Sequence, residues 1–385
     1  MNEKKRLVFI NPDYHNAFLL AEELSIIGWK TTIALSDKFP DALLFSTKAI
    51  MRIETINKAS KYKAFISMIK RIRVVVILLL KNDFFVFYGK LPNLLNYRSF
   101  FPFLKKISFE SNFDLFLYSI KALRKKIVYV PSGCLDEFLQ VDFSKIEKGN
   151  ICNNCGFWDR CNDKENSLNF SKVRRYSDLN IGNGAYYSNQ FVQTSIPYRS
   201  LDLNRWHPNL NQNEPKKIEK SEKILILHSF FNSERNYLNR NIKGTPMIID
   251  AVNKLKSNGI SVQLNILNDI PINQMINYQS EADIIVDELI YGWHGSTTIE
   301  ALALGKPTVC YLRQDWLSNF SQTFPHLPEV PVVNANSENL YDILLKLCTD
   351  DELRVEIGKR SRVFAEMHFD VKKNAEVFNR ILSEL

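Results

Sequence analysis

The sequence predicts an α/β protein built from two Rossmann-like domains that face each other across a cleft. Two stretches of chain alternate short apolar runs with segments of helical periodicity, which is typical of strand–helix–strand units in a parallel sheet. A polar segment with two prolines, residues 204–222, separates the two stretches as a linker. The 385 residues are enough for two domains of ordinary size.

The first domain is predicted over residues 1–203 and opens as strand, helix, strand, with Gly28 after the helix. Its apolar runs predict strands at residues 5–10, 31–35, 84–88 and 126–130, with a first helix at 17–27. A cysteine-containing excursion then occupies about residues 133–172.

The second domain is predicted over residues 223–385, where the same alternation starts again. Strands are expected at residues 224–227, 262–267, 283–286 and 308–311, and helices at 246–257, 272–281 and 297–304. The last helix could pack back on the first domain. Ligands of open parallel sheets bind beyond the carboxyl ends of the strands, so we expect the site in the cleft between the domains.

Composition and missing motifs exclude several classes of protein. The longest apolar run, residues 74–80, is far shorter than the roughly 20 residues of a membrane-spanning helix. Residues 1–12 do not form a secretory signal, and a cytoplasmic protein is therefore expected. A Gly-x-Gly-x-x-Gly turn and a Gly-Lys-Ser/Thr loop are both missing, which disfavours nicotinamide chemistry and ordinary nucleoside triphosphatases.

The positive charge is concentrated near the amino terminus. Residues 1–130 hold 22 Lys and Arg against 10 Asp and Glu, whereas the rest of the chain holds 28 against 32. Within 48–73, Tyr62, Phe65 and Ile69 follow a helical spacing among eight cations and one acid. Such a helix can lie on an anionic membrane surface, helped by the apolar run 74–80. The alternative is a core-facing helix followed by a buried strand; no nucleic-acid recognition module is found.

The segment 282–312 is the most informative part of the chain, because it predicts a strand, a loop, a helix, a tight turn and a second strand. This segment resembles the donor-binding region of nucleotide-sugar glycosyltransferases of the GT-B fold, particularly the retaining family four. That family has a Glu, seven residues, then Glu-Ala and an apolar-small-Gly-x-Pro tail. Glu300, Ala301, Gly305 and Pro307 match the second Glu and its tail.

The resemblance extends upstream to residues 228–255, where the family places a phosphate-binding Arg and Lys. It implies that Lys243 and Arg240 stabilise the negative charge that grows on the departing diphosphate. Arg235 could replace Arg240, because the spacing varies within the family. Ser229 is a further candidate for donor binding.

Glu300 would then accept hydrogen bonds from the donor ribose, a role for which an ionised carboxylate is expected. The alternative is a capping box between Thr297 and Glu300 that only satisfies backbone donors. Gly295, Ser296 and Thr297 would present backbone N–H groups to the sugar and phosphate.

The chain departs from the family at Gly292, where the first Glu of the pattern is expected. The nearest carboxylates are Asp287 and Glu288, and either could substitute for it. His294 is a candidate sugar or phosphate contact, the alternative being an exposed histidine.

In the first domain, Asp13, His15 and Asn16 follow the first strand and could face acceptor or donor, or could simply form a turn and helix cap. Asp136, with Ser132, follows the strand 126–130 at a position where many relatives hold a His or Asp beside the reacting carbon.

Four cysteines form the pattern C-x17-C-x2-C-x5-C, which predicts a structural zinc site or, less readily, an iron–sulfur cluster. They are Cys134, Cys152, Cys155 and Cys161. The alternative is an independently buried Cys134 and a coincidental pair. Cys310 and Cys348 are expected to be core thiols.

The resemblance implies a retaining glycosyltransferase of hexosyltransferase type that moves a sugar from a nucleotide donor to a glycan or lipid-linked glycan in surface polysaccharide synthesis. Two alternatives remain open. One is a nucleotide-sugar epimerase of the same fold, and the other is a binding or scaffold protein that has lost catalysis.

Overall fold

The computed structural model describes most of the chain. The described residues are 5–12, 16–37, 39, 50–55, 60–95, 112–136, 138–182, 184, 192–196, 199–209, 223–230 and 240–385. Among the predicted site residues, Arg235, Asp13 and His15 lie outside these ranges, as do residues 210–222 of the predicted linker.

The first domain is built on a seven-stranded sheet. Its strands are β1 (Arg6–Ile10), β2 (Lys30–Ser36), β3 (Ile50–Ile53), β4 (Phe84–Tyr88), β5 (Lys126–Val130), β6 (Leu179–Gly182) and β7 (Thr194–Ser195). They lie in the order β3-β2-β1-β4-β5-β6-β7, and each pairing between them is parallel. The continuous apolar sequences of β1 and β4 suit strands covered on both faces.

Six helices of the first domain are described. They are α1 (Asn16–Ile26), α2 (Lys61–Lys81), α3 (Leu115–Ala122), α4 (Gln140–Phe143), α5 (Asn150–Asn153) and α6 (Asp163–Tyr176). Alternate residues of β4 point to opposite faces: Phe85 and Phe87 pack with α2, α3 and α6, while Val86 packs on the side of α1.

Helix α2 is longer than the sequence predicts. The apolar run 74–80 forms its last two turns, so the alternative of a buried strand at this place is wrong. Val75 and Leu78 of that run are fully buried in the core beside β4, and this packing outweighs the strand preference of β-branched residues. Within the described residues, no helix combines the length and apolar character needed to cross a bilayer.

The second domain is built on a five-stranded parallel sheet in the order β12-β11-β10-β8-β9. The strands are β8 (Ile224–Phe230), β9 (Val262–Asn268), β10 (Ile284–Val286), β11 (Thr308–Cys310) and β12 (Val333–Asn334). The helices are α7 (Thr245–Ser257), α8 (Ile272–Glu281), α9 (Ser296–Ala303), α10 (Gln314–Thr323), α11 (Leu340–Thr349), α12 (Asp351–His368) and α13 (Val371–Ser383).

The final helix, α13, packs on the first domain. Phe378 is fully buried and stacks on Phe9 of β1, with 6.3 Å between the ring centroids. The indole nitrogen of Trp29 donates a hydrogen bond to Asn379 at 2.8 Å. Leu201, just before the predicted linker, and Asp370, just before this helix, form a parallel bridge. The two segments that connect the domains therefore run side by side.

A shared apolar cluster joins the domains. It combines Phe143 and Ile151 of the cysteine-containing excursion with Trp293 and Trp316 of the second domain. Trp206, at the described start of the predicted linker, is fully buried in the same cluster. The excursion therefore lies against the second domain at the side of the cleft.

Candidate functional site

The candidate site lies at the carboxyl ends of β8 and β10, where the strand order of the second sheet reverses. The chain leaves β8 and reaches Lys243 just before α7, and it leaves β10 through residues 287–295 into α9. Loops that diverge from neighbouring parallel strands open a crevice, which is where ligands of such sheets bind.

Lys243 is the centre of a buried charge cluster. Its Nζ lies 2.6 Å from Oδ1 of Asp287 and 2.9 Å from Oε1 of Glu288. All three side chains are less than a tenth exposed, so the interactions are weakly screened by water. The side chain of Asn241 accepts hydrogen bonds from the backbone N–H groups of Lys243 and Gly244, which fixes the loop.

Asp287 connects this cluster to the start of α9. Its Oδ2 accepts hydrogen bonds from the backbone N–H groups of Gly295 and Thr298 and from the Thr298 hydroxyl, the last at 2.7 Å. Burial alone would raise the pKa of Asp287, but the charge of Lys243 and these hydrogen bonds lower that pKa to about 2. The carboxylate thus stays ionised and orients both Lys243 and the helix.

Glu300 points into the protein from the second turn of α9. Its Oε2 accepts a hydrogen bond from the Gln279 side chain at 2.7 Å, and the residue is 1% exposed. Helix α9 begins at Ser296 after Gly295, so the capping-box alternative with Thr297 is wrong. Burial raises the pKa of Glu300 to about 8, which favours the neutral acid at pH 7 without a ligand.

His228, at the end of β8, was not singled out from the sequence. It is fully buried, and its ring nitrogens contact the Val286 carbonyl oxygen at 2.8 Å and the Thr245 hydroxyl at 2.9 Å. Burial, together with the charge of Lys243, lowers the pKa of His228 to about 4, so the ring is neutral. Since a carbonyl can only accept, Nδ1 donates to Val286 and Nε2 accepts from Thr245. His228 therefore ties β8, β10 and α7 together beneath Lys243.

Three of the predicted donor-binding residues form the start of α9. Gly295 precedes the helix, and Ser296 and Thr297 are its first two, half-buried residues. A Cβ on Gly295 would lie 3.3 Å from Asp287 Oδ2 and 3.6 Å from Lys243 Nζ, so this glycine keeps the approach to the charge cluster open. Ser229, in contrast, is buried within β8.

Gly292 has a structural reason for departing from the family pattern. Its φ is +93°, and a Cβ there would lie 2.4 Å from Cγ of Arg313. Arg313 is held in place by ion pairs with Glu147 at 2.9 Å and with Asp315 at 2.5 Å. A glutamate side chain therefore does not fit at position 292 in this structure.

Replacing Gly292 by Ala should destabilise the protein more than replacing Gly259, a matched glycine in open space with φ +80°. Both variants carry about 1–2 kcal/mol of backbone strain. Gly292→Ala adds roughly 1–3 kcal/mol because Arg313 must move. Chemical denaturation of the two variants measures the difference, and equal losses of stability would show that Arg313 does not restrict this position.

The contacts of Arg240 and the burial of His294 were not predicted from the sequence. The guanidinium of Arg240 lies 4.3 Å from the ring centroid of Trp158, which belongs to the excursion. His294 is not exposed: it stacks on Trp293 at 4.8 Å. Burial, followed by the charge of Arg199, lowers the pKa of His294 to about 4, so this ring is neutral at pH 7.

The excursion also contacts the second domain through polar groups. Glu147 accepts hydrogen bonds from the Tyr311 hydroxyl at 2.8 Å and from Arg313 at 2.9 Å. On the first-domain side, Gly184 follows β6 and accepts a hydrogen bond from Asn319 of α10 at 2.7 Å. The carboxyl-terminal edge of the first sheet therefore faces the second domain.

Asp136 holds the turn after β5. Its Oδ2 accepts hydrogen bonds from the backbone N–H groups of Ser132 at 3.1 Å and Gly133 at 2.7 Å. Gly89, after β4, comes so close that a Cβ there would lie 3.0 Å from this oxygen. In the preceding part of the domain, Asn16 is buried and accepts a hydrogen bond from the Ser200 backbone, as a structural residue would.

The four cysteines of the excursion do not form a metal site in this structure. Among the described side chains, no group of three or more His, Cys, Asp or Glu is arranged to hold a metal ion. Cys134, Cys152 and Cys155 instead pack against the apolar cluster between the domains. Burial, followed by the charges of neighbouring thiols, raises the pKa of Cys134 to about 12, which favours a neutral thiol. The zinc or iron–sulfur prediction is therefore not supported, whereas Cys310 and Cys348 are buried as expected.

A cavity of about 650 Å³ lies elsewhere in the second domain, between residues 328–333 and helices α11 and α12. Its lining is mainly aliphatic, including Val330, Val332, Leu347 and Ile357. None of the predicted site residues lines it, and its lining also includes Glu329 and the cations Lys346, Lys359 and Arg360. The charge cluster around Lys243 remains the better candidate for a ligand site, because it lies where the strand order of the sheet reverses.

Solved structures share this architecture along almost the whole chain. The sucrose-phosphate synthase of Thermosynechococcus elongatus superposes with a TM-score of 0.61 at 12% identity, covering 99% of both chains. Anabaena HepE, solved in complex with UDP and glucose, has a TM-score of 0.57 at 14% identity, covering 98% of this chain and 99% of its own. The chain has the GT-B fold.

A third GT-B structure is WaaG, a glycosyltransferase involved in lipopolysaccharide biosynthesis. Its TM-score is 0.55 at 13% identity, covering 97% of this chain and 99% of its own. Comparison with protein-family models and with curated proteins gives no match. At such low identities, the similarity of this GT-B protein to these structures concerns the fold.

Proposed function

We propose that the protein is a glycosyltransferase that uses a nucleotide-sugar donor. The observation that carries this proposal is the meeting of Lys243, the start of α9 and Glu300 at the point where the strand order of the second sheet reverses. Anionic groups bind favourably at helix amino termini and beside fixed cations. HepE, a protein of the same fold, was solved with UDP and glucose, which supports this choice of donor.

In this proposal, Lys243 and the first amides of α9 contact the diphosphate of the donor. Asp287 holds Lys243 and α9 in a fixed relation, so the positive groups are in place before charge develops. The bond between the anomeric carbon and the diphosphate oxygen breaks, and the acceptor oxygen bonds to that carbon. The acceptor proton leaves with the diphosphate. Preorganised charge of this kind lowers the barrier because it needs no rearrangement during the reaction.

Arg240 is the second proposed cation. Its contact with Trp158 places it where the excursion meets the second domain. Arg235 remains a prediction outside the described residues.

Glu300 is proposed to bind the ribose of the donor. A buried acid with a raised pKa can give up its proton when ligand hydroxyls donate hydrogen bonds to it. Glu288 is proposed to replace the first carboxylate of the family pattern, whose position is occupied by Gly292 in this chain. Its Oε1 lies beside Lys243 and near Gly295. His294 and Asp136 would then act by positioning the loops around the sugar and the acceptor.

The acceptor is proposed to be a glycan or a lipid-linked glycan of surface polysaccharide synthesis. The sugar is proposed to be a hexose that is transferred to this acceptor with retention of configuration. WaaG, which shares the fold, is involved in lipopolysaccharide biosynthesis, and this supports the choice.

The test is a panel of nucleotide sugars, each examined for its effect on the melting temperature and then for reaction products. A ligand at a hundred times its Kd should stabilise the protein by about 2.7 kcal/mol. With the stabilising donor, transfer to an added glycan supports the proposal, and an epimerised nucleotide sugar shows the epimerase alternative instead. Stabilisation without any product indicates a binding protein, and no stabilisation by any donor contradicts the proposed site. Lys256 is an exposed cation on α7, away from the charge cluster. The variant Lys256→Ala serves as the control for these measurements and should respond to the donor as the wild type does.

A further inference from the structure

Helix α2 has two apolar faces. One face is buried against the first-domain sheet through Val75 and Leu78. The other face exposes large side chains at intervals of three or four residues, with Tyr62 73% and Leu80 67% accessible. The exposed set is Tyr62, Phe65, Ile69, Ile72, Val76 and Leu80, which we call the outer stripe.

The outer stripe is continuous along the helix. With 3.6 residues per turn and a rise of 1.5 Å per residue, its members share one side of α2 over about 27 Å. Soluble proteins rarely expose an aligned set of large apolar side chains unless another surface covers it. The buried face already satisfies the packing of α2, so the core does not explain the outer stripe.

The charges of α2 identify what can cover the stripe. The helix has six Lys and Arg and no Asp or Glu. Lys63, Lys70, Arg73 and Lys81 are exposed on one flank of α2. At about 100° per residue, Arg73 lies about 50° around the helix from the centre of the outer stripe, and the three lysines lie about 110–130° from it. Lys70 has an exposed ion pair with Glu54 at 3.3 Å, which is worth little in water. Arg73 therefore borders the stripe, and the three lysines form a cationic flank beyond it.

A second copy of the chain would fit this surface poorly. Stripe-to-stripe packing would bring two chains with such cationic flanks together, and like charges at an interface oppose association. An anionic bilayer satisfies both features at once, because acyl chains accept the apolar side chains and lipid phosphates attract the flanking cations.

We infer that α2 docks this protein on an anionic lipid bilayer, with the outer stripe in the interface and the long side chains of Arg73 and the cationic flank reaching the lipid headgroups. The inference extends the proposed function, since a membrane-bound enzyme would meet a lipid-linked acceptor directly. It does not depend on glycosyl transfer, because docking is measured without a donor.

The experiment is co-sedimentation of the full chain with vesicles of phosphatidylcholine alone or with 30% phosphatidylglycerol. We expect at least tenfold stronger binding to the anionic vesicles, weakened by salt. Each cation near the surface contributes roughly fivefold to binding, so Lys63→Gln, Lys70→Gln and Arg73→Gln together should weaken it about a hundredfold. Replacing Phe65, Ile69 and Val76 by Ser should weaken it to a similar degree.

Matched controls lie on the second domain. Lys256, Lys359 and Arg360 are exposed cations, and their replacement by Gln removes the same charge elsewhere. Val355, Val363 and Met367 are exposed apolar residues of α12, and their replacement by Ser matches the apolar variant. Both control variants should bind anionic vesicles within about threefold of the wild type.

Several outcomes would overturn the inference. They are equal binding to neutral and anionic vesicles, equal loss of binding in the control variants, and a wild-type dimer that the Ser variant converts to a monomer. Light scattering detects the dimer, and thermal melting shows whether each variant is folded. If the Ser variant does not fold, the Gln variant decides, because exposed Lys→Gln changes leave the packing intact.

Discussion

Replacing Lys243 by Met should both unfold the protein more easily and abolish donor binding. The side chain neutralises two buried carboxylates, Asp287 and Glu288, and its loss leaves both charges buried without a cation. Removing one partner of a buried ion pair typically costs about 3–5 kcal/mol. Chemical denaturation measures this loss, and thermal melting with a nucleotide sugar measures donor binding.

A second-site change separates the two effects. Lys243→Met combined with Glu288→Gln removes one of the stranded charges and should recover at least half of the lost stability. Asp287 keeps its hydrogen bonds from Gly295 and Thr298 in this double variant. Donor-induced stabilisation should stay absent, because the phosphate-binding cation is still missing.

The matched control is Lys172→Met in the first domain. Lys172 forms an equally buried ion pair with Asp114 at 2.8 Å, so its loss should destabilise the protein similarly. This variant should still be stabilised by the donor. Full donor stabilisation in Lys243→Met would show that Lys243 does not bind the diphosphate.

Replacing Glu300 by Gln should make stability less dependent on pH. Burial raises the pKa of Glu300 from its usual 4.5 to about 8, so the unfolded chain loses this proton at lower pH than the folded protein. The stability that comes from the neutral acid is full below pH 4.5 and is lost as the pH rises towards 8. Between pH 6 and pH 9, the wild type should lose about 3 kcal/mol of stability that Glu300→Gln keeps.

The same variant tests the ribose contact. Hydrogen bonds to a charged acceptor are worth about 1.5–3 kcal/mol, so Glu300→Gln should bind the donor roughly 10- to 100-fold more weakly. Glu338→Gln, on an exposed loop before α11, is the control for both measurements and should change neither. A Glu300→Gln protein with the wild-type pH profile and donor affinity would contradict both the buried acid and its role.

Much of the fold follows from local sequence patterns. The predicted strands 84–88 and 126–130 coincide with β4 and β5, and the predicted helix 272–281 coincides with α8. These segments are predictable because apolar runs bounded by polar residues leave few ways to bury them. The run 74–80 forms the end of α2, whereas one interpretation of the sequence places it in a buried strand, because an apolar run of this length fits either a strand or a buried helix.

The candidate site was only partly predictable. The sequence predicts Lys243 and Glu300 as site residues because they follow strands in an order that resembles the glycosyltransferase family, and their roles stay predictions. The ion pair between Lys243 and Asp287 joins residues that are 44 apart in sequence, so no local sequence pattern predicts it. In the sequence, His228 is simply the end of a predicted strand. Its hydrogen bonds to Val286 of β10 and Thr245 of α7 form only in the folded sheet. The cysteine spacing suggested a metal, but spacing alone does not bring thiols into a coordination geometry.

The sequence itself determined the alternation of strands and helices, the two-domain organisation and the basic character of α2. These features are predictable because periodicity and charge are properties of neighbouring residues. Tertiary structure decided the protonation of Glu300, the exclusion of a side chain at Gly292 and the exposure of the outer stripe. Each of these depends on which distant groups surround a residue, since burial, steric contact and electrostatic fields arise only when the chain is folded.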